Sequence, residues 1–136
     1  MRKLFSILIV TTAVILAYSA VGAADPAKHV YFIEPKNGTT VTNPIKVKFG
    51  IDGMTIKPAG EIVDGTGHHH LLIDLDPVPA GQVIPADETH LHFGKGQTET
   101  EVKLTPGSHK LTMQFANGAH ISYGPELSAT ITVIVK

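Results

Sequence analysis

Two short stretches of this chain concentrate side chains able to bind a metal or move a proton: His68-His69-His70 and His90-Leu91-His92. Imidazole is the commonest side-chain metal ligand and suits copper, zinc and nickel. Along a β-strand the side chains alternate between faces, so two histidines two residues apart leave the same side and can chelate one ion. On that rule His68 and His70 share a face with Leu72 and Asp74, while His69 shares the other with Leu71, Ile73 and Leu75. His90 and His92 likewise share one face, opposite Leu91 and Phe93. His120, in a later loop, completes a candidate ligand set of His68, His70, His90, His92 and His120. The chain has no cysteine, so thiolate ligation is excluded and Cu(II) or Zn(II) is the favoured ion. Cu(I) would call on Met54. A ligating imidazole wants its second nitrogen held by a carboxylate or carbonyl, and Asp64, Asp74 and Glu88 are close enough in sequence to do so.

A less specific use of the same residues stands beside this one. Strand histidines often close polar networks, and the whole set then belongs to a non-catalytic envelope interaction module with structural histidines. In either case His69, pointing with Leu71 and Ile73, is expected to be a hydrogen-bonded core residue rather than a ligand. His29 and His109 fall at strand ends, where no special role is expected. Enzyme signatures are lacking: the sequence has no G-x-S-x-G, no H-E-x-x-H and no phosphate-cradling glycine loop. Glu99 and Glu101 should face solvent together, and no histidine is placed to activate Ser108, Ser122 or Ser128. The chain is therefore not expected to be an enzyme except through a bound metal.

The elements that must position these side chains are all strands. Ile45, Val47, Phe49 and Ile51 alternate with Lys46, Lys48 and Gly50, the period of a half-buried strand. Similar patterns give strands over 28–34, 45–51, 68–75, 88–93, 97–104, 109–116 and 127–135, with a possible short edge strand over 39–42. Turn residues punctuate them, as in Pro35-Lys36-Asn37-Gly38 and Thr105-Pro106-Gly107-Ser108. The glycine- and proline-rich segment 52–67 reads as a long loop, of the kind that is functional or disordered in a compact domain. Seven such strands indicate an all-β, antiparallel immunoglobulin-like β-sandwich, with a small closed barrel as the alternative. In that topology the start of 68–75, the end of 88–93 and the loop carrying His120 gather towards one rim.

The first residues read as a targeting segment. Arg2 and Lys3 precede an apolar stretch from Leu4 to Tyr18, and Ala20-Val21-Gly22-Ala23-Ala24 supplies the small residues of a cleavage site. A signal peptide over 1–23 leaves one domain over 24–136, in the periplasm or secreted, and not membrane-spanning once cleaved. The twelve acidic residues all follow Ala23, whereas two of the eleven basic ones precede it, so the remaining charge is 9 − 12 = −3. No basic stripe is present, which argues against nucleic acid as a partner. The partner is instead expected to be a metal ion or an envelope protein.

Several motifs carry a family resemblance. His29-Val30-Tyr31-Phe32-Ile33-x-Pro35, Val47-Lys48-Phe49-Gly50, Gly53-Met54, Pro58-Ala59-Gly60, Gly67-His68-His69-His70-Leu71-Leu72-Ile73-Asp74 and His90-Leu91-His92-Phe93-Gly94-x-Gly96-Gln97-Thr98-Glu99 resemble an uncharacterised family of small exported bacterial domains. That family carries only a domain-of-unknown-function label. The resemblance runs along the whole chain after the leader and implies an exported all-β domain, but no activity. Related sequences carry a second histidine shortly after the position of His120, where this chain has Tyr123. The resemblance therefore implies one ligand, not two, from that loop.

Overall fold

Among the described residues there are nine strands: β1 His29–Glu34, β2 Thr40–Val41, β3 Ile45–Asp52, β4 Thr55–Ile56, β5 Thr66–Ile73, β6 His90–His92, β7 Glu99–Val102, β8 Gly107–Ala116 and β9 Ser128–Val135. A 3-10 turn, Pro125–Leu127, precedes β9. The computed structural model describes residues 26–136, so the leader assigned to residues 1–23 lies outside the described residues.

The strands form two sheets. One has the order β1-β3-β7, and the other β2-β9-β8-β5-β4, with β6 also paired to β5. The fold is all-β and sandwich-like, as expected, because both sheets turn one apolar face to a common core. Val30, Ile45, Val47, Phe49 and Val102 come from the smaller sheet, and Leu71, Ile73, Leu111, Met113, Phe115, Ile131, Val133 and Val135 from the larger. Burying a side chain of this size contributes about 1.5–3 kcal/mol. The pairing is mixed rather than wholly antiparallel, since β2 runs parallel to β9 and β4 parallel to β5. The segment read as a continuous loop over 52–67 therefore contains a strand, too short for any periodicity to reveal.

Strand β5 is the centre of the larger sheet. Its His68–Ile73 stretch pairs antiparallel with Ala116–Leu111 of β8 on one side. On the other side it takes β4 against Thr66 and Gly67, then β6 against His70, Leu71 and Leu72. Both faces of β5 are covered, which explains why all residues from Gly67 to Ile73 are buried. The core covers the inner face. Over the outer face lie two irregular segments that bond to each other and to the sheet. Val78 N–H donates to Gln114 Oε1 (3.1 Å), Ser122 Oγ donates to Val78 O (2.8 Å), and Ile84 N–H donates to His120 O (2.9 Å). Gln114 Nε2 in turn reaches Gly124 O (2.9 Å) and Leu127 O (3.2 Å). This extra layer closes a polar seam over Leu72, Thr112 and Gln114, all fully buried.

Candidate metal centre

The alternation of β5 splits the histidine triplet. His69 turns inward, edge-on to Phe49 and Phe115 at centroid distances of 4.9 and 5.0 Å. His68 and His70 turn outward beneath the covering layer. In the register of β6, His92 is the direct partner of His70, and Leu91 that of Leu71, so His92 joins the outward pair. His120 arrives from the turn after β8. Asn117 Oδ1 accepts from Ala119 N–H (3.0 Å) and Ile121 N–H (3.1 Å), and His120 takes a left-handed backbone with φ 64°. A histidine in that conformation is uncommon and costs energy. Here it aims the ring back at β5.

Four ring nitrogens meet as a result. His68 Nε2 lies 3.1 Å from His70 Nε2, 3.2 Å from His92 Nε2 and 3.1 Å from His120 Nδ1. One ligand atom from each of these four residues falls within 4.8 Å of all the others. A ring nitrogen carries one hydrogen or one in-plane lone pair, so His68 Nε2 satisfies only one of its three close contacts as an ordinary hydrogen bond. A cation at the centre would use four lone pairs at once. A tetrahedron with metal–nitrogen bonds of about 2.0–2.1 Å has edges of about 3.3–3.4 Å, close to the three separations from His68 Nε2. The four histidines can thus hold a metal ion.

Burial grades across the cluster. His68 and His70 are 0% and 1% exposed, His120 is half-buried and His92 is exposed, so the set has a closed floor and a side facing solvent. Burial pushes the His68 imidazole down to about 4, helped by repulsion from His92 and His120. It pushes His70 down to about 3, with repulsion from His68, His92, His120 and His69 adding to it. His92 is also lowered, first by desolvation and then by His120. Lowered values keep these rings neutral near pH 7, and the neutral ring is the ligating form.

The other sequence candidates fall elsewhere. His90, opposite Leu72, is outside the cluster, because the turn into β6 captures it: Asp87 Oδ1 accepts from its Nδ1 (2.8 Å) and from its backbone N–H (2.9 Å). The same bond to His90 holds the Asp87 carboxyl down at about 2, with Thr89 contributing. Met54 packs against the hydrophobic core. None of the proposed carboxylates supports a cluster imidazole. Asp74 instead accepts from His109 Nδ1 (2.8 Å) and Lys110 N–H (2.8 Å), which gives His109 a definite pairing that its position did not suggest. The Nδ1 atoms of His68 and His70 are buried without any partner, and so are both nitrogens of His69. The expectation of a hydrogen-bonded His69 is therefore corrected: it is an apolar filler.

Three glycines border the ligands, and each stands beside a histidine or histidine motif in the sequence. At Gly67 a Cβ would strike Ala116 O and the Phe115 ring, at Gly94 the His92 ring, and at Gly118 the Glu61 backbone. Each stands within two residues of a cluster histidine. Tyr123 adds no ligand, since its hydroxyl donates to Thr66 O (2.6 Å).

The fold and the site define a β-sandwich domain with a four-histidine cluster on the outer face of its larger sheet. The chain belongs to the family described as a domain of unknown function (DUF4399), whose model matches residues 47–136. That range holds all four cluster histidines but not the His29–Pro35 motif that contributed to the resemblance. No curated protein and no solved structure matches the chain. No helix among the described residues is long and apolar enough to cross a membrane.

Proposed function

We propose that this protein is an exported metal-binding domain that holds one Cu(II) or Zn(II) ion through His68 Nε2, His70 Nε2, His92 Nε2 and His120 Nδ1. The observation that carries this is the crowding of His68 Nε2 by three other ring nitrogens at 3.1–3.2 Å, which ordinary hydrogen bonding leaves unsatisfied. The donor set is nitrogen only, which suits zinc and copper and disfavours magnesium or calcium. A zinc ion held by all four imidazoles would have no open position left for a substrate. The role is therefore storage, delivery or resistance in the bacterial envelope rather than hydrolysis. Export rests on the leader-like residues 1–23, with Arg2 and Lys3 before the apolar run.

Isothermal titration of the metal-free protein tests the proposal. One ion per chain should bind with Kd below about 10 μM, or roughly −6.8 kcal/mol. At a hundredfold excess over Kd, the ion should raise the melting temperature by about 10 °C. Weaker binding, or binding unaffected by loss of the cluster histidines, would favour the envelope interaction module with structural histidines.

A further inference from the structure

The four ligands come from three separate pieces of chain: β5 carries two, the end of β6 carries His92 and the turn after β8 carries His120. One segment that contributes no ligand bonds to all three. Lys57 N–H donates to Gly67 O (2.8 Å), Ala59 N–H to Gly94 O (2.8 Å) and Gly60 N–H to Gly118 O (2.9 Å). Pro58, which has no N–H, falls between them. These acceptors are the three glycines that border the ligands, and at each a side chain would strike a neighbour. Gly67 precedes His68, Gly94 follows His92 by two residues, and Gly118 precedes His120 by two. Gly60 itself has φ 144°, a backbone that only glycine adopts without strain.

Resting on the metal-binding proposal above, we infer that Lys57–Gly60 is a backbone clasp that sets the four imidazoles at ion-binding separation, so that metal affinity is controlled from outside the ligand set. His68 and His70 share one strand and are placed by its pleat alone. His92, the last residue of β6, is paired to His70, and His120 sits on the turn after β8. Because β6 and β8 lie on opposite sides of β5, no strand pairing joins these two solvent-side ligands directly. The clasp spans both turns with successive N–H groups. Removing one of its bonds lets the solvent-side half drift while the floor stays in place, and affinity falls without loss of a ligand.

The contact can be broken from either side. Ala59→Pro deletes the N–H that reaches Gly94, Ala59→Ser keeps it, and Gly118→Ala drives a methyl group into the Glu61 backbone. Co(II) serves as a spectroscopic probe of the site alongside Zn(II) titration. Ala59→Pro and Gly118→Ala should weaken Zn(II) at least about tenfold, or 1.4 kcal/mol, and speed its loss to a chelator. Both should lower the intensity of the visible Co(II) bands that mark tetrahedral coordination, whereas Ala59→Ser should match the wild type. Should Gly118→Ala fail to fold, Ala59→Pro against Ala59→Ser decides alone, and should Ala59→Pro fail, a folded Gly118→Ala decides. Should neither fold, the loss is global rather than confined to the solvent-side ligands, and the clasp is rejected as a separate positioning device. Wild-type affinity and Co(II) spectra in the folded variants would overturn the clasp and leave the metal site standing. Absence of binding by the wild-type protein would remove the metal site itself.

Discussion

His68 and His69 are consecutive residues on one strand, equally buried, and physically opposite. His69 stands alone between Phe49 and Phe115, with neither nitrogen bonded. His68 faces three other imidazoles at 3.1–3.2 Å. Burial lowers both to about 4, so depressed basicity does not distinguish a ligand from a filler. Convergence does. A lone buried imidazole is a rigid ring that costs desolvation, whereas four converging imidazoles are a donor set. The pleat of β5, which sends adjacent side chains to opposite faces, makes the difference.

Substituting the two residues separately should expose this contrast most sharply. His68→Gln is expected to weaken Zn(II) or Cu(II) at least about 100-fold, because it removes the nitrogen nearest all three other ligands. His69→Leu should change Kd less than about threefold. It should also stabilise the metal-free protein by about 1–3 kcal/mol, since two unpartnered buried nitrogens disappear. Calorimetry and denaturant unfolding read these effects, and a His69→Leu variant that loses the metal would erase the distinction.

Acid should act on both faces in the same direction. An unfolded imidazole titrates at about 6.5, whereas His68 and His69 are held at about 4 and His70 at about 3. Below pH 6.5 the unfolded chain binds more protons than the folded one. Stability is thus full above that value and declines as pH falls towards the folded ones, by up to about 1.4 kcal/mol per pH unit for each imidazole. The His69→Leu variant should show a shallower decline than the wild type between pH 6.5 and 4.5. An equal slope would mean that His69 does not stay neutral in the folded protein.

The smallest effect concerns a histidine paired with a carboxylate away from the cluster. His109 is raised, chiefly by its bond to Asp74, so its contribution is present below the unfolded value and lost as pH rises through the folded one. Because Asp74 is half exposed, solvent screening holds the difference between wild type and His109→Gln below about 1 kcal/mol at pH 6. By pH 8.5 the gap should have narrowed, and a gap that widens would reverse the assigned sign.

Much of this was readable from residue order. Period-two alternation separates His68 and His70 from His69, and the same rule puts His92 opposite Leu91. What it could not supply was register. His90 and His92 share a face, but only His92 is the partner of His70. His90 lies one step further along, within reach of Asp87. The support expected from Asp74 failed for a related reason: its left-handed backbone, φ 58°, ends β5 and turns the carboxylate to His109. The covering layer of residues 78–84 and 120–124, and the clasp at 57–60, were beyond reach because irregular segments have no periodicity. Their bonds join residues up to 58 positions apart, as between Gly60 and Gly118.

The most direct measurement is a crystal structure of the protein grown with Zn(II), with anomalous data collected on both sides of the zinc absorption edge. One anomalous peak per chain should lie about 2.0–2.1 Å from the Nε2 atoms of His68, His70 and His92 and from Nδ1 of His120, with His69 uncoordinated. A peak at His90 or His109 alone, or a zinc-soaked crystal with none at the cluster, would contradict the account.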